Sequence, residues 1–221
     1  MSALPTFRPL LAVMNPRRIP VCLDSIAALD IPRVWLKNMS EWDLVPRIAA
    51  IVADDAGPVD FTHLMLVSDD CEVSQDALGA VLELGAFHRV ATGYCKLDAT
   101  HDLVNITDKP ITGDVPRVDA YSFRTWQAAH TWPSETIPTG FVGMALTCMS
   151  RDMWRSFPFG VFGNERRSYA SDFHLSRRLR DAGVPMWAAR DGEVLHHKTV
   201  WNETADHPLL IGQEPAAVVW E

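Results

Sequence analysis

Between Phe61 and Val73 the chain reads FTHLMLVSDDCEV, an apolar run without alternation that stops at two adjacent carboxylates, Asp69 and Asp70. An unbroken run of this kind predicts a strand covered on both faces. The same pattern opens the chain. Leu10 to Met14 is a short apolar run closed by Asn15 and Pro16, and Val34 to Leu36 is another. Between them Val21, Leu23, Ile26, Ala27 and Leu29 form a helical stripe that Asp30 and Pro32 end. A second helix is predicted over about Leu44 to Ala53. Ser74 can cap a third, in which Leu78, Val81 and Leu82 recur at helical spacing before Gly85 weakens it, and Arg89 to Cys95 returns as strand. Strand and helix thus alternate through the first hundred residues, the pattern of a parallel sheet wound with helices. Ligands of such sheets bind at the carboxyl ends of the strands.

From Lys96 to Thr139 the pattern breaks into Pro, Asp, Thr and aromatic residues, with Trp126, His130 and Trp132 close together. A long irregular segment is expected there. It forms either a ligand-facing wall with tryptophan faces available for stacking or a plug of aromatics on the sheet. Gly140 to Met149 (GFVGMALTCM) resumes as an apolar strand, with Gly140 and Gly143 at its entrance leaving room for a ligand or for close packing. Ser171 caps a helix predicted to run through Ala182 and to stop at Gly183. Asp172, Leu175, Leu179 and Ala182 share one face of it, which points Asp172 inward. Met186 to Ala189 and Glu193 to His197 read as two closing strands. The tail from Asn202 to Glu221 carries apolar Leu209, Leu210, Ile211 and AAVVW, and packs back on the domain or onto a partner.

Composition narrows the class. With 221 residues, 48% hydrophobic and 22% charged, the chain suits one ordinary globular domain. A net charge of -8 gives little help in gripping a polyanion, so a nucleic-acid partner is disfavoured. Cys22, Cys71, Cys95 and Cys148 show no metal-ligand spacing, and three of them lie in apolar segments, so all four read as reduced and structural. No run approaches a membrane span and the N-terminus lacks a signal-peptide core, which predicts a cytoplasmic location.

Four segments in order, VSDDCEV, GFVGMALTCMSRDMW, YASDFHLSRRLRDAG and GEVLHH, resemble the successive motifs of glycosyltransferases of the GT-A fold, especially the family 2-like ones. The resemblance spans roughly Leu10 to His197. It implies an α/β fold, a GT-A-like single domain with a mostly parallel central sheet flanked by helices. Residues 10–95 would form the nucleotide-sugar-binding half, 96–200 the acceptor and catalytic half, and 201–221 a C-terminal tail.

The family's acid motif matches Ser68, Asp69 and Asp70, with serine in place of the first acid. By that match Asp70 is the ligand of a divalent cation, Mn2+ or Mg2+, which holds the donor's diphosphate, and Ser68 and Asp69 face the nucleotide. A late histidine of the family matches His196 or His197; alternation along a strand lets only one face the site, and His196 is favoured. The helix-opening acid motif matches Ala170, Ser171 and Asp172. Asp172 is then the general base that takes the acceptor hydroxyl's proton, at a helix N-terminus that favours negative charge, with Glu165 in reserve. Asn15 lies where the family's first loop meets the nucleotide base. Arg17 and Arg18 would add phosphate contacts, and Asn38, Gly140 and Gly143 complete the expected donor-binding set.

The function this implies is a metal-dependent glycosyltransferase moving a sugar from a nucleotide sugar to a hydroxyl acceptor: protein, glycan or a modified DNA base, the last disfavoured by charge. Two alternatives stand beside it. A non-catalytic nucleotide-sugar-binding module would fit the serines at 68 and 171. A sugar nucleotidyltransferase would need a glycine-rich N-terminal phosphate loop, which LLAVMNPRRIP lacks.

Overall fold

In the computed structural model, residues 6–15, 19–39, 41–54, 58–97, 102–109, 122–158, 171–197 and 215–221 are described. The apolar runs become three neighbouring parallel strands, β1 (Pro9–Asn15), β2 (Arg33–Lys37) and β3 (His63–Ser68). Helices α1 (Pro20–Ala27) and α2 (Glu41–Ala53) connect them. After β4 (Cys71–Glu72) comes α3 (Gln75–Phe87), whose cap Ser74 accepts the Ala77 N–H at 3.1 Å, and then β5 (Val90–Tyr94). Gly85 does not end α3. A side chain there would meet Cys148 Sγ at 2.9 Å, so the glycine lets helix and sheet approach closely.

Beyond β5 the chain is more regular than its composition suggests. Described residues of the 96–139 stretch form β6 (Leu103–Thr107), β7 (Phe123–Thr125), α4 (Trp126–His130) and β8 (Thr136–Thr139), which corrects the irregular segment expected there. Residues 98–101 and 110–121 lie outside the described residues. The apolar GFVGMALTCM run also divides, its first residues forming a loop and the rest β9 (Ala145–Ser150). Then follow α5 (Arg151–Ser156), α6 (Ser171–Asp181), β10 (Met186–Glu193), β11 (Leu195–His196) and β12 (Ala217–Trp220). Gly183, at φ +66°, takes the left-handed turn that ends α6, as its position predicted.

The central sheet has the order β12-β2-β1-β3-β9-β5-β10-β8. Strands β2, β1, β3, β5 and β10 run one way and β12, β9 and β8 the other, so the sheet is mostly parallel in direction, with β9 threaded antiparallel through its centre. Because successive strand residues face opposite ways, β1 serves both layers. Leu10, Ala12 and Met14 join Leu44 and Ile48 of α2, Trp154 of α5 and Leu175 and Leu179 of α6. Leu11 and Val13 join Ile26 of α1 and Leu78, Val81 and Leu84 of α3. This is a sheet with helices on both faces, a mixed α/β architecture. A smaller cluster of Tyr94, Val104, Ile106, Ala129, Ile137 and Ala188 seats β6, β7 and α4 on the end of β5. Trp126 and Trp132 are half-buried against that cluster, the packing the plug reading anticipated.

Of the tail, residues 215–221 are described, and they pack back on the domain; Leu209, Leu210 and Ile211 lie outside the described residues. β12 pairs antiparallel with β2 as an edge strand, and Trp35 Nε1 donates to Glu221 Oε2 at 2.7 Å. No helix among the described residues is long and apolar enough to cross a membrane.

Candidate functional site

The common direction of β1, β2, β3, β5 and β10 brings their carboxyl ends to one edge of the sheet. Asn15 ends β1, Asn38 follows β2, Asp69 and Asp70 follow β3, Cys95 follows β5, and β10 leads into His196. The amino end of antiparallel β9 reaches the same edge, bringing the loop of residues 140–144 with it. Five strand ends and one loop therefore converge where open α/β sheets place ligands.

Asp70 and His196 meet there. β11 pairs antiparallel with β4, aligning His196 with Cys71 and Leu195 with Glu72. His196 Nε2 then lies 3.2 Å from Asp70 Oδ2, and its Nδ1 lies 3.4 Å from the Lys96 carbonyl. His197 turns the other way, with Nε2 at 3.0 Å from Glu72 Oε2. The alternation expected of the histidine pair is what the strand shows. Burial pulls the His196 pKa down, but hydrogen bonds to Asp70 and Cys95 and the charges of both outweigh it and lift it to about 10. With acceptors facing both ring nitrogens the protonated form is favoured, and a cation held between Asp70 and His196 would displace the Nε2 proton.

Thiols surround this pair. Cys71 Sγ donates to Asp70 Oδ1 at 3.8 Å, and burial, then the Asp70 charge, push the Cys71 thiol well above its usual range. Burial and the charges of Asp70, Asp69 and Glu72 push Cys22 up to about 12. All four cysteines are free and buried, and the upward shifts of Cys22, Cys71 and Cys148, each led by burial, leave those three thiols protonated and poorly nucleophilic.

Asp69 is fully buried, and its N–H donates to Met14 O at 3.0 Å, which locks the acid turn onto the end of β1. Ser68 is half-buried beside it, its N–H donating to Met144 O at 3.2 Å. Asn15 is buried, and among the described residues no donor reaches its Oδ1. A buried amide oxygen of this kind is a point where a ligand donor fits. Asn38 adopts φ +57°, a conformation asparagine tolerates. Its N–H donates to Asn15 O at 3.1 Å and its Nδ2 to Pro215 O at 3.1 Å.

Asp172 sits in the first turn of α6, half-buried, and its Oδ1 accepts the Phe173 N–H at 2.8 Å. Leu175 and Leu179 face the core as expected, whereas Ala182 lies past the helix and is exposed. Gly140 is buried in the loop. At Gly143 the room a side chain would need is filled by the Asn105 amide, which favours the close-packing explanation of that glycine. Arg17, Arg18 and Glu165 lie outside the described residues.

The pairing of Glu72 with His197, the thiols about Asp70 and the amide of Asn105 were not expected from sequence. The first depends on the β4–β11 register and the last on β6, for which no local pattern existed, and the thiols gather from Cys71 next to Asp70, from α1 and from the end of β5. Beside the Glu72 pair opens a cavity of about 300 Å³, lined by Glu72, Val73, Ser74, Glu193 and Leu195.

Two donors of mixed type, a carboxylate oxygen and an imidazole nitrogen, suit Mn2+ and tolerate Mg2+. Among the described residues no set of three or more His, Cys, Asp or Glu side chains gathers for a metal ion. Cations that bridge to substrate phosphates take only one or two protein ligands, so the Asp70 and His196 donor set fits such an ion.

The sequence matches no protein-family model and no curated protein. Solved structures do resemble the fold. A197 from STIV aligns with a TM-score of 0.53 at 12% identity, over 82% of this chain and 81% of that one. GalNAc-T7, in a structure with UDP, GalNAc and Mn2+, aligns with a TM-score of 0.53 at 11% identity, over 86% of this chain. This chain spans 43% of the GalNAc-T7 chain. An inositol-1-phosphate CTP transferase from T. maritima aligns with a TM-score of 0.42 at 11% identity, over 86% of this chain and 89% of that one. The GalNAc-T7 likeness shows a GT-A-like fold.

Proposed function

We propose that this chain is a metal-dependent glycosyltransferase that moves a sugar from a nucleotide sugar to a hydroxyl acceptor. The observation that carries the reading is the approach of His196 Nε2 to within 3.2 Å of Asp70 Oδ2 at the carboxyl edge of the sheet. The solved GalNAc-T7, bound to UDP, GalNAc and Mn2+, shares the fold and supports it.

Asp70 and His196 are the residues that would hold the divalent cation. Such an ion neutralises charge that grows on a departing nucleoside diphosphate. Asn15 offers its buried carbonyl oxygen to a donor on the nucleotide base, and Asn38, fastened to Asn15 and Pro215, forms the adjoining wall. Asp172 takes the proton of the acceptor hydroxyl as that oxygen attacks the anomeric carbon. The carboxylate is needed because the hydroxyl's own pKa lies far above neutrality.

A binding module without turnover is the second reading, and Ser68 in place of an acid favours it. A panel of nucleotide sugars with manganese decides between them. Transfer or hydrolysis of one donor, preceded by a rise in melting temperature, is expected. Binding without turnover selects the module, and a panel in which no nucleotide sugar binds removes both.

A further inference from the structure

Ser176 is a fully buried hydroxyl in the middle of α6. Its Oγ accepts the Val142 N–H at 2.9 Å and donates to the Asp172 carbonyl at 2.7 Å. One proton and its lone pairs satisfy both contacts at once, so the hydroxyl joins the loop of residues 140–144 to the first turn of the helix. Alanine would be the better helix former. What serine adds is an acceptor for an N–H on a fully buried residue, a donor that is costly to leave unpaired.

The loop it grips is fastened along its length. Gly140 N–H donates to Thr107 O at 3.1 Å and Phe141 N–H to Thr139 Oγ1 at 3.2 Å. Met144 O accepts from Ser68 N–H at 3.2 Å, and Ser68 is the residue before the acid pair. A continuous path of hydrogen bonds and peptide units therefore runs from the Ser68 turn, through residues 144 to 142, to Ser176 and on to Asp172. The rings of Phe141 and Phe173, 4.9 Å apart, brace the same junction.

We infer that Ser176 is a positioning residue that holds Asp172 at a fixed distance from the Ser68 to Asp70 turn. This rests on the glycosyltransferase reading, in which base and cation site must keep register to within a fraction of an ångström. Ser176 touches neither substrate nor the reacting atoms; it acts through the backbone of the helix.

The test compares Ser176→Ala, Ser176→Thr and Leu179→Val in the full chain. Leu179→Val trims the same helix in the core without touching the hydroxyl. Each is assayed with manganese and whichever of UDP-GalNAc, UDP-glucose and GDP-mannose the unaltered protein turns over, and by amide hydrogen exchange. In Ser176→Ala, kcat should fall at least tenfold with the donor KM within twofold, and exchange at residues 172–176 should quicken at least tenfold. Ser176→Thr should recover most of kcat, and Leu179→Val should keep it within twofold. An unchanged kcat in Ser176→Ala, or equal losses in Ser176→Ala and Leu179→Val, overturns the inference while leaving the transferase reading intact. If the unaltered protein turns over no donor, the transferase reading falls. Unchanged exchange at 172–176 then overturns the tie by itself.

Discussion

Asp70 and His196 stand 126 positions apart in the chain, yet a carboxylate oxygen of one lies 3.2 Å from a ring nitrogen of the other. The two-residue ladder between β4 and β11 brings them together, and His197 extends it by donating its N–H to Asp70 O at 2.8 Å. One backbone register thus sets both histidines, giving His196 to Asp70 and His197 to Glu72.

If that pair holds the cation, Asp70→Asn removes the carboxylate charge at nearly constant shape and His196→Asn removes the imidazole Nε2. Manganese-dependent binding of UDP should weaken by roughly 10- to 100-fold or more in either variant. Glu72→Gln, outside the pair, should leave it within a few fold. Titration calorimetry with and without EDTA reads this, and retained affinity in Asp70→Asn would remove Asp70 from the site.

Acid should weaken the fold near neutrality. Burial lowers the pKa of His63, and burial together with the charges of Arg178 and Arg177 lowers that of His174. The unfolded chain, with histidines near their usual value of about 6.5, then binds more protons than the native one as pH falls below that value. Their contribution is complete above about pH 6.5 and shrinks below it. His196, lifted to about 10, keeps its whole contribution below pH 6.5 and loses it only as pH rises toward 10. Between pH 6.5 and 5.5, where His196 is protonated in the native state and adds no opposing loss, the urea midpoint should fall, and His63→Gln should narrow the gap. An equal gap in that variant would exclude His63 as a cause.

Two glycines should respond oppositely to alanine. At Gly93 an added Cβ would meet Gly192 O at 2.5 Å and Ala145 O at 2.9 Å, both rigid backbone, opposite the β9 bulge where Leu146 takes φ +61°. Gly93→Ala should cost about 1–3 kcal/mol. Gly79, exposed in α3 with nothing within 4 Å of an added Cβ, should gain about 0.5–1 kcal/mol as alanine. Denaturant midpoints at constant slope check both.

The edge strand depends on a charge-assisted bond. Trp35→Phe keeps most of the ring and deletes the N–H that reaches Glu221 Oε2 at 2.7 Å. A loss of about 1–2 kcal/mol is expected. Glu221→Ala should cost as much, and the double variant little more, because both remove one interaction. Additive losses would show that the bond is not what couples β12 to β2.

Much of the first half was legible because its signals are local. The apolar runs of β1, β2 and β3, the Ser74 cap and the acid-tipped end of β3 are set by sterics and hydrogen bonds spanning a few residues, and Gly183 marks its helix end in the same way. These features also placed Asn15, Asn38 and Asp70 at strand ends before any pairing was known. What the chain could not state locally was who pairs with whom. GFVGMALTCM announces a strand, but only the tertiary structure threads β9 between β3 and β5 against their direction. AAVVW is apolar wherever it lies, and its docking on β2 was settled by the open edge and by Trp35 and Glu221. The stretch after Lys96 looked irregular because its elements are too short for periodicity to register; they are held by the Tyr94 cluster rather than by propensity. The histidine beside Asp70 belongs to the same class. Alternation separated His196 from His197, while the β4–β11 register, fixed by packing across the whole sheet edge, chose between them.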